Sequence, residues 1–386
     1  MNTARHLTFL LIILPWGAMS LYADDVDDRI QTIRVTLAES KGKEPARDAC
    51  RYLKRQGAEI LPRLLAAMNT PDTVTANWYR TVYESITRRE LRLEKPDLPV
   101  QALRAVASDR EQQGRVRRLA LLTIDRIEPA YRERLIPTLL DDPEFRDEAV
   151  EAVMKQGDEA AARKDVKQAL ASYRTAFENS RESGQIGRAA DKLKELGEPV
   201  SVVEHMGFVV DWYVIGPFDA PGKTGFDLSF APESDVDLKS EYDGKNNTRI
   251  RWKRYQSEDR LGLADLIRGI GPAAEAVGYA YAEFESQREQ SAQIRCGADD
   301  NLTVWLNGEK VFGRLQWLNG TRLDRFTAPV HVRQGTNRLL VKVCQGPQHR
   351  NPAVGNNWSL QLRFCTVDGA GLAFKSLLPP IDKNSR

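Results

Sequence analysis

From about Asp25 to Gly197, apolar residues recur at three- and four-residue intervals, the period of helices buried on one face. Within this region one pattern repeats. Ile60-Leu61-Pro62 leads into Leu64-Leu65, Leu98-Pro99 into Ala102-Leu103, and Ile136-Pro137 into Leu139-Leu140. The prolines are roughly 37–38 residues apart, a period of stacked helix pairs. Each stretch ends in a polar turn, at Asn69-Thr70-Pro71-Asp72, Ser108-Asp109 and Asp141-Asp142-Pro143. Proline near the start of a second helix is tolerated because first-turn N–H groups lack an intrahelical partner. Further on, Ala169-Leu170, Tyr173 and Ala176-Phe177 put small residues where two helices touch and two rings on one face.

After Pro199 the period changes to two. Val209, Asp211, Tyr213 and Ile215 alternate with Val210, Trp212 and Val214, and Gly216-Pro217 ends the run. Ala292–Cys296 is a second strand, followed by a turn at Gly297–Asn301 and the strand Leu302–Leu306. Asn307-Gly308 predicts a two-residue hairpin turn into Lys310-Val311-Phe312. Val330–Val332, a Gly335-Thr336-Asn337 turn and Leu339–Val343 give another pair, and Trp358–Phe364 a last strand. Short strands with turns between them predict an antiparallel β-sandwich.

Three resemblances follow from these residues. Val116-Arg117-Arg118-Leu119-Ala120-Leu121, Leu135-Ile136-Pro137 and the next helix around Arg146 and Ala149-Val150 resemble the HEAT family of helical repeats. Asp165 to Phe177 is similar to the second helix of a tetratricopeptide (TPR) repeat, with Lys164 and Val166 where that family has glycine and tyrosine. One such unit cannot bury its own face, so it reads as a cap on the solenoid. In the second half, Trp212-Tyr213-Val214-Ile215-Gly216-Pro217-Phe218, Ala298–Gly308 and Gly335–Val343 look like exported bacterial jelly-roll modules. These are similar to galactose-binding-like sandwiches and to protective-antigen-type lectin domains. The expected organisation is a signal peptide (1–23), HEAT-like repeats (24–155), a TPR-like pair (156–200), a galactose-binding-like sandwich (201–378) and a tail (379–386). The fold class is thus multidomain α and β: an N-terminal α-solenoid followed by an antiparallel jelly-roll sandwich.

Export is read from the first residues. Arg5-His6 precedes an apolar run from Leu7 to Leu14, too short to span a bilayer, and Ala23 ends the stretch before Asp24-Asp25. A secretory signal peptide is expected, with an uncleaved anchor as the alternative; the mature chain is then periplasmic or secreted, without a later membrane span. Export permits disulfides, yet Cys296 lies on an apolar strand face whereas Cys344 and Cys365 follow Lys342 and Arg363 on polar ones. Free thiols are therefore expected, with Cys50 buried on a helix.

The chain has 386 residues, 41% hydrophobic and 28% charged, with a formal charge of +2. A charge so near zero gives no electrostatic case for nucleic acid. Four histidines leave no histidine-rich metal centre. No Gly-x-Ser-x-Gly elbow, phosphate loop, His-Glu-x-x-His helix or Cys-x-x-Cys pair occurs, so no catalytic residue is assigned.

The remaining candidates point to binding. Trp305 sits in an apolar strand and reads as core. Trp317 lies in a polar connection with Asn319 and Arg322 nearby, either a platform that stacks on a sugar while its neighbours fix hydroxyls, or a plug at the sandwich end. Asp299-Asp300 reads as a turn; the lectin resemblance implies a second role, as ligands of Ca²⁺, and otherwise no cofactor is expected. Arg249, Arg251 and Lys253 share a strand face and read as edge protection. Arg115, Arg117 and Arg118 read as a solvated helix face or a contact for an acidic partner. The expected function is an exported, non-catalytic binding protein: the sandwich holds a glycan or cell-envelope component and the solenoid a protein partner. The alternative is an accessory or catalytic subunit of a polysaccharide-degrading hydrolase, for which Glu283, Glu285, Asp299 and Asp300 are the available acids.

Overall fold

The computed structural model of the protein describes residues 21–39, 42–317, 320–351 and 353–380. Most of the expected signal peptide and tail lies outside the described residues, as does Asn319. Among them, no helix is long and apolar enough to cross a membrane. The chain divides into two compact units, Met1–Ala149 and Val150–Arg386.

The first unit is helical: α1 (Leu21–Glu39), α2 (Glu44–Leu53), α3 (Leu61–Met68), α4 (Thr73–Glu90), α5 (Val100–Ser108), α6 (Gly114–Asp125), α7 (Pro129–Leu135) and the start of α8 (Arg146–Ala162). Consecutive helices pack as pairs, α1 on α2, α3 on α4 and α5 on α6. Pro62 falls in the first turn of α3 and Pro99 caps α5, as their positions predict. The third stretch differs. Pro137 lies in a 3₁₀ turn at Ile136–Thr138, and Leu139 and Leu140 are not helical. Without an N–H, Pro137 cannot continue the ladder of α7, and the chain tightens before Asp141-Asp142.

The basic run on α6 is not a solvated face. Arg117 is 3% and Asp142 0% exposed, joined by two bonds, Nη1 to Oδ1 at 3.0 Å and Nη2 to Oδ2 at 2.5 Å. Arg117 Nε also donates to the Ala107 carbonyl at 3.2 Å, and Asp142 Oδ1 accepts the Glu144 N–H at 3.0 Å. Arg118 binds Glu144 and Glu148 and lies 5.1 Å from the Phe145 ring centroid.

The second unit continues with α9 (Val166–Asn179), α10 (Ser183–Glu195) and α11 (Val202–Met206). Ala169, Tyr173, Ala176 and Phe177 are buried, as their spacing predicts. A side chain at Gly157 would meet the Tyr173 ring at 2.6 Å, so α8 and α9 close at that glycine. These helices group with the sheets because polar bonds tie them there. Arg260 reaches Asp191 and the Gly187 carbonyl, Arg181 reaches Asp368, and the rings of Phe177 and His205 stand 4.2 Å apart.

Among the described residues thirteen strands follow: β1 (Asp211–Asp219), β2 (Glu241–Asp243), β3 (Arg249–Arg251), β4 (Lys253–Gln256), β5 (Ala264–Asp265), β6 (Ala276–Ser286), β7 (Gln290–Asp299), β8 (Leu302–Leu306), β9 (Glu309–Arg314), β10 (Phe326–Val332), β11 (Gly335–Gln345), β12 (Ser359–Cys365) and β13 (Lys375–Ser376). A large antiparallel sheet runs β4-β1-β6-β11-β8-β9, with β13 added to β6, and a smaller one runs β10-β7-β12-β5. Trp212, Ala280, Val304 and Val341 of the large sheet share one core with Ile294, Val330, Leu360 and Leu362 of the small one, so the sheets form a sandwich. Asn307 and Gly308 take φ of 54° and 83°, the positive pair a two-residue hairpin turn requires. The expected turn at Gly335–Asn337 is displaced to Arg333-Gln334, because Asn337 is buried and its side chain binds the Arg333 N–H and carbonyl. Lys253 is on the edge strand β4, while Arg249 and Arg251 pair with Asp243 and Glu241 in the separate β2-β3 ribbon.

All four cysteines are free and buried. The faces expected to be polar are buried too, which strand parity alone does not reveal. The outer face of the large sheet carries a second cluster of Ile215, Phe218, Tyr279, Leu340 and Cys344, covered by Phe226, Phe230, Val236 and Leu238 of the segment 221–240. Within that layer Lys342, 2% exposed, donates to Glu233 at 2.8 Å and to the carbonyls of Phe226 and Leu228, and the Tyr279 hydroxyl donates to the same carboxylate at 2.5 Å. On β12, Arg363 is 1% exposed, bonded to Asp324 and to the carbonyls of Met206 and Gly369.

Candidate functional site

At one end of the sandwich the chain leaves β7 at Asp299, turns through Asp300 and Asn301, and re-enters as β8. Asn301, fully buried, organises this turn: its side-chain oxygen accepts the Gln316 N–H, and Gln316 Nε2 donates to the Asp300 carbonyl at 3.1 Å. The connection after β9 is thereby drawn against the acidic turn. Trp317, the next residue, lines a cleft of about 200 Å³ with Asp299, Asp300, Lys223, Gly346 and Asn356.

Each wall has a local cause. Lys223 sits in a left-handed turn after Pro221-Gly222, and its Nζ lies 4.9 Å from the Trp317 ring centroid, a cation over an aromatic face. Gly346 forms the floor where β11 ends: a Cβ there would stand 2.9 Å from Asp300 Oδ2 and 3.2 Å from two indole carbons. The Gly346 N–H donates to Asp300 Oδ2 at 3.0 Å, and the Gly320 N–H to Asp299 Oδ2 at 2.7 Å. The Asp299–Asp300 peptide is cis. Two amide nitrogens, Asn301 Nδ2 and Asn356 Nδ2, are buried without a partner among the described residues.

Burial, and then the neighbouring Asp300 carboxyl, push Asp299 up to about 7 against the Gly320 bond. Its folded value thus exceeds the ~3.9 of an unfolded carboxyl. Between those limits the folded state keeps a proton that the unfolded chain has released, so stability falls as pH rises from about 4 to about 7. In chelator-containing buffer, Asp299→Asn is expected to gain stability relative to wild type across that window and hold the gain above it. Denaturant titrations at several pH values check this; parallel curves for the two proteins would contradict it.

Thus the structure brings together two features far apart in sequence, Trp317 and the Asp299-Asp300 pair. Arg322 is exposed and does not line the cleft. Glu283 and Glu285 lie on β6, away from it; Glu283 accepts bonds from Tyr281 and Arg338. Sequence reading missed Lys223, Gly346 and Asn356. Pro221-Gly222-Lys223 was a visible turn signal, but nothing in it announced which cleft the lysine would face.

No family model matches the chain, and no curated protein matches it. Solved structures similar to it include a β-glucosidase from Kluyveromyces marxianus in complex with glucose, at 10% identity and a TM-score of 0.26, over 40% of this chain and 16% of that one. A β-glucuronidase from an uncultured Clostridium is 14% identical with a TM-score of 0.25, over 41% and 28%. The PA14 sugar-binding domain of an RTX adhesin is 15% identical with a TM-score of 0.21, over 40% and 89%. The chain spans less than a third of the length of the two glycosidases. At these scores the likenesses add no argument, and the reading of the cleft rests on its own residues.

Proposed function

We propose that this is an exported, periplasmic or secreted, non-catalytic binding protein whose sandwich holds a glycan or cell-envelope component in the end cleft and whose helical unit, read as a HEAT-like array, holds a protein partner. The observation that carries the reading is the partly exposed Trp317 indole beside the buried Asp299 and half-buried Asp300 carboxyls in an open cleft. A sugar presents an apolar face that stacks on an indole and hydroxyls that carboxylates and amides bind. The unpartnered amide nitrogen of Asn356, which lines the cleft, suits an acceptor oxygen of such a ligand.

The donor chemistry of the acidic pair also suits a hard cation. Asp299 and Asp300 would hold Ca²⁺, with carbonyls and water completing its oxygen shell, since no group of three or more acidic, Cys or His ligands occurs among the described residues. Bound Ca²⁺ would neutralise the pair and offer coordination to sugar hydroxyls.

A glycan array read with and without EDTA tests both parts. Trp317→Ala is expected to lose glycan binding while the melting temperature stays nearly unchanged, because a stacking platform contributes little to the core. A large loss of stability instead would make Trp317 a structural plug and remove it from the site. Turnover in a polysaccharide-hydrolase panel would overturn the non-catalytic reading, and a pull-down that enriches no protein would remove the partner.

A further inference from the structure

We propose a second saccharide site, on the outer face of the large sheet, built around Trp305 and independent of the end cleft. Side chains alternate along β6, β8 and β11, and register then aligns outer-face residues across strands: Trp305 faces Leu340, and Leu340 faces Tyr281. This row floors a cleft of about 670 Å³ whose far wall is the segment 232–238. Trp305, expected to be core, is only partly buried here and lines the cleft. An aromatic plane at the bottom of a wide cleft is the element that a pyranose ring recognises.

The next row along the same strands supplies the polar groups. Arg338 faces Glu283, and the Glu283 carboxylate is held by the Tyr281 hydroxyl at 2.5 Å and by Arg338 Nε at 3.2 Å. Both bonds fall on Oε1, so Oε2 is an oriented acceptor without a partner among the described residues. Asn307, at the hairpin turn, is already bonded to Asn337 and to the Arg338 N–H, which fixes that end of the cleft. An oriented carboxylate–guanidinium pair beside an indole binds vicinal hydroxyls as acceptor and donor at once.

Charge decides the class of sugar. Glu233, Asp235 and Glu283 line the cleft, and Arg333, Arg338 and the buried Lys342 beneath offset them. With no net field, the site selects a neutral oligosaccharide rather than a uronate or sulfated one.

The test uses the full chain carrying Trp317→Ala, so that the end cleft does not report. Cellohexaose, xylohexaose, mannohexaose and polygalacturonate are titrated separately while the tryptophan indole N–H resonances are followed by NMR. Trp305 is assigned through Trp305→Phe. At least one neutral hexasaccharide is expected to move the Trp305 resonance, polygalacturonate to leave it in place, and Glu283→Gln to weaken the affinity about tenfold. Arg338→Gln serves as the second variant if Glu283→Gln unfolds. A Trp305 resonance unmoved by every neutral oligosaccharide overturns the proposal, as does a response to polygalacturonate alone or affinity unchanged in both variants. The end-cleft reading is judged separately, by the Trp317 resonance of the wild-type chain.

Discussion

Arg117→Met is expected to destabilise the helical unit by about 3–5 kcal/mol, the range for stripping one partner from a buried ion pair. The substitution keeps the length of the stem and removes the fork. Asp142, 0% exposed, then keeps only the Glu144 N–H at 3.0 Å and the more distant Arg110 guanidinium at 3.7 Å. Burial alone would raise its carboxyl, yet the Arg117 bonds, the Glu144 N–H and the nearby positive charges hold it below the usual carboxylate value. A depressed folded value contributes stability above the unfolded pKa of ~3.9 and loses it as pH falls through the folded one, so the gap to wild type should be full at neutral pH and close in acid. Denaturant unfolding at pH 7 and in acid measures both. The double change Arg117→Met/Asp142→Leu should recover most of the loss, because no charge is then stranded. A single-variant loss under about 1 kcal/mol would return the pair to the class of surface bridges.

Lys342→Met should cost the second unit about 3 kcal/mol for the same physical reason. Here the effect has a local signature. The ammonium joins Glu233 and two main-chain carbonyls of the segment 221–240 to the middle of β11, so its loss should make that segment the first site of proteolysis while the sandwich core persists. Limited proteolysis with mass mapping reads the position, and thermal melting reads the cost. Cleavage first in the 347–357 loop, with the 221–240 segment intact, would show that other contacts hold that segment.

The change of period near residue 200, the Asn307-Gly308 hairpin and the helical face around Tyr173 were legible because each depends on neighbours in sequence. What escaped depends on which faces are covered. Strand parity placed Lys342 and Cys344 on the face opposite Val341, correctly, but parity carries no information about whether another segment lies over that face. Lys342 therefore looked solvated and is buried, while Trp305 looked like core and faces a cleft. The arginines of α6 misled for a related reason, since their partners Asp142, Glu144 and Glu148 lie across a turn and on another helix. Trp317 and Asp299-Asp300 were each singled out. Their meeting was not, because it depends on Asn301 drawing Gln316 inward.

Lys342 grips its covering segment mainly through the main chain, at the carbonyls of Phe226 and Leu228, and through the single acid Glu233. Main-chain carbonyls are the same whatever side chain they carry. The tether thus specifies a path and one carboxylate, and with Val236 and Leu238 held to the apolar cluster it leaves Ser234 and Asp235 free to vary. The wall of the outer-face cleft is in that sense a graftable insert: a segment of equal length with an acid at the position of Glu233 and apolar residues at those of Val236 and Leu238 would dock along the same route. Ligand preference on this face can then drift, or be re-engineered, without any change to the strands beneath.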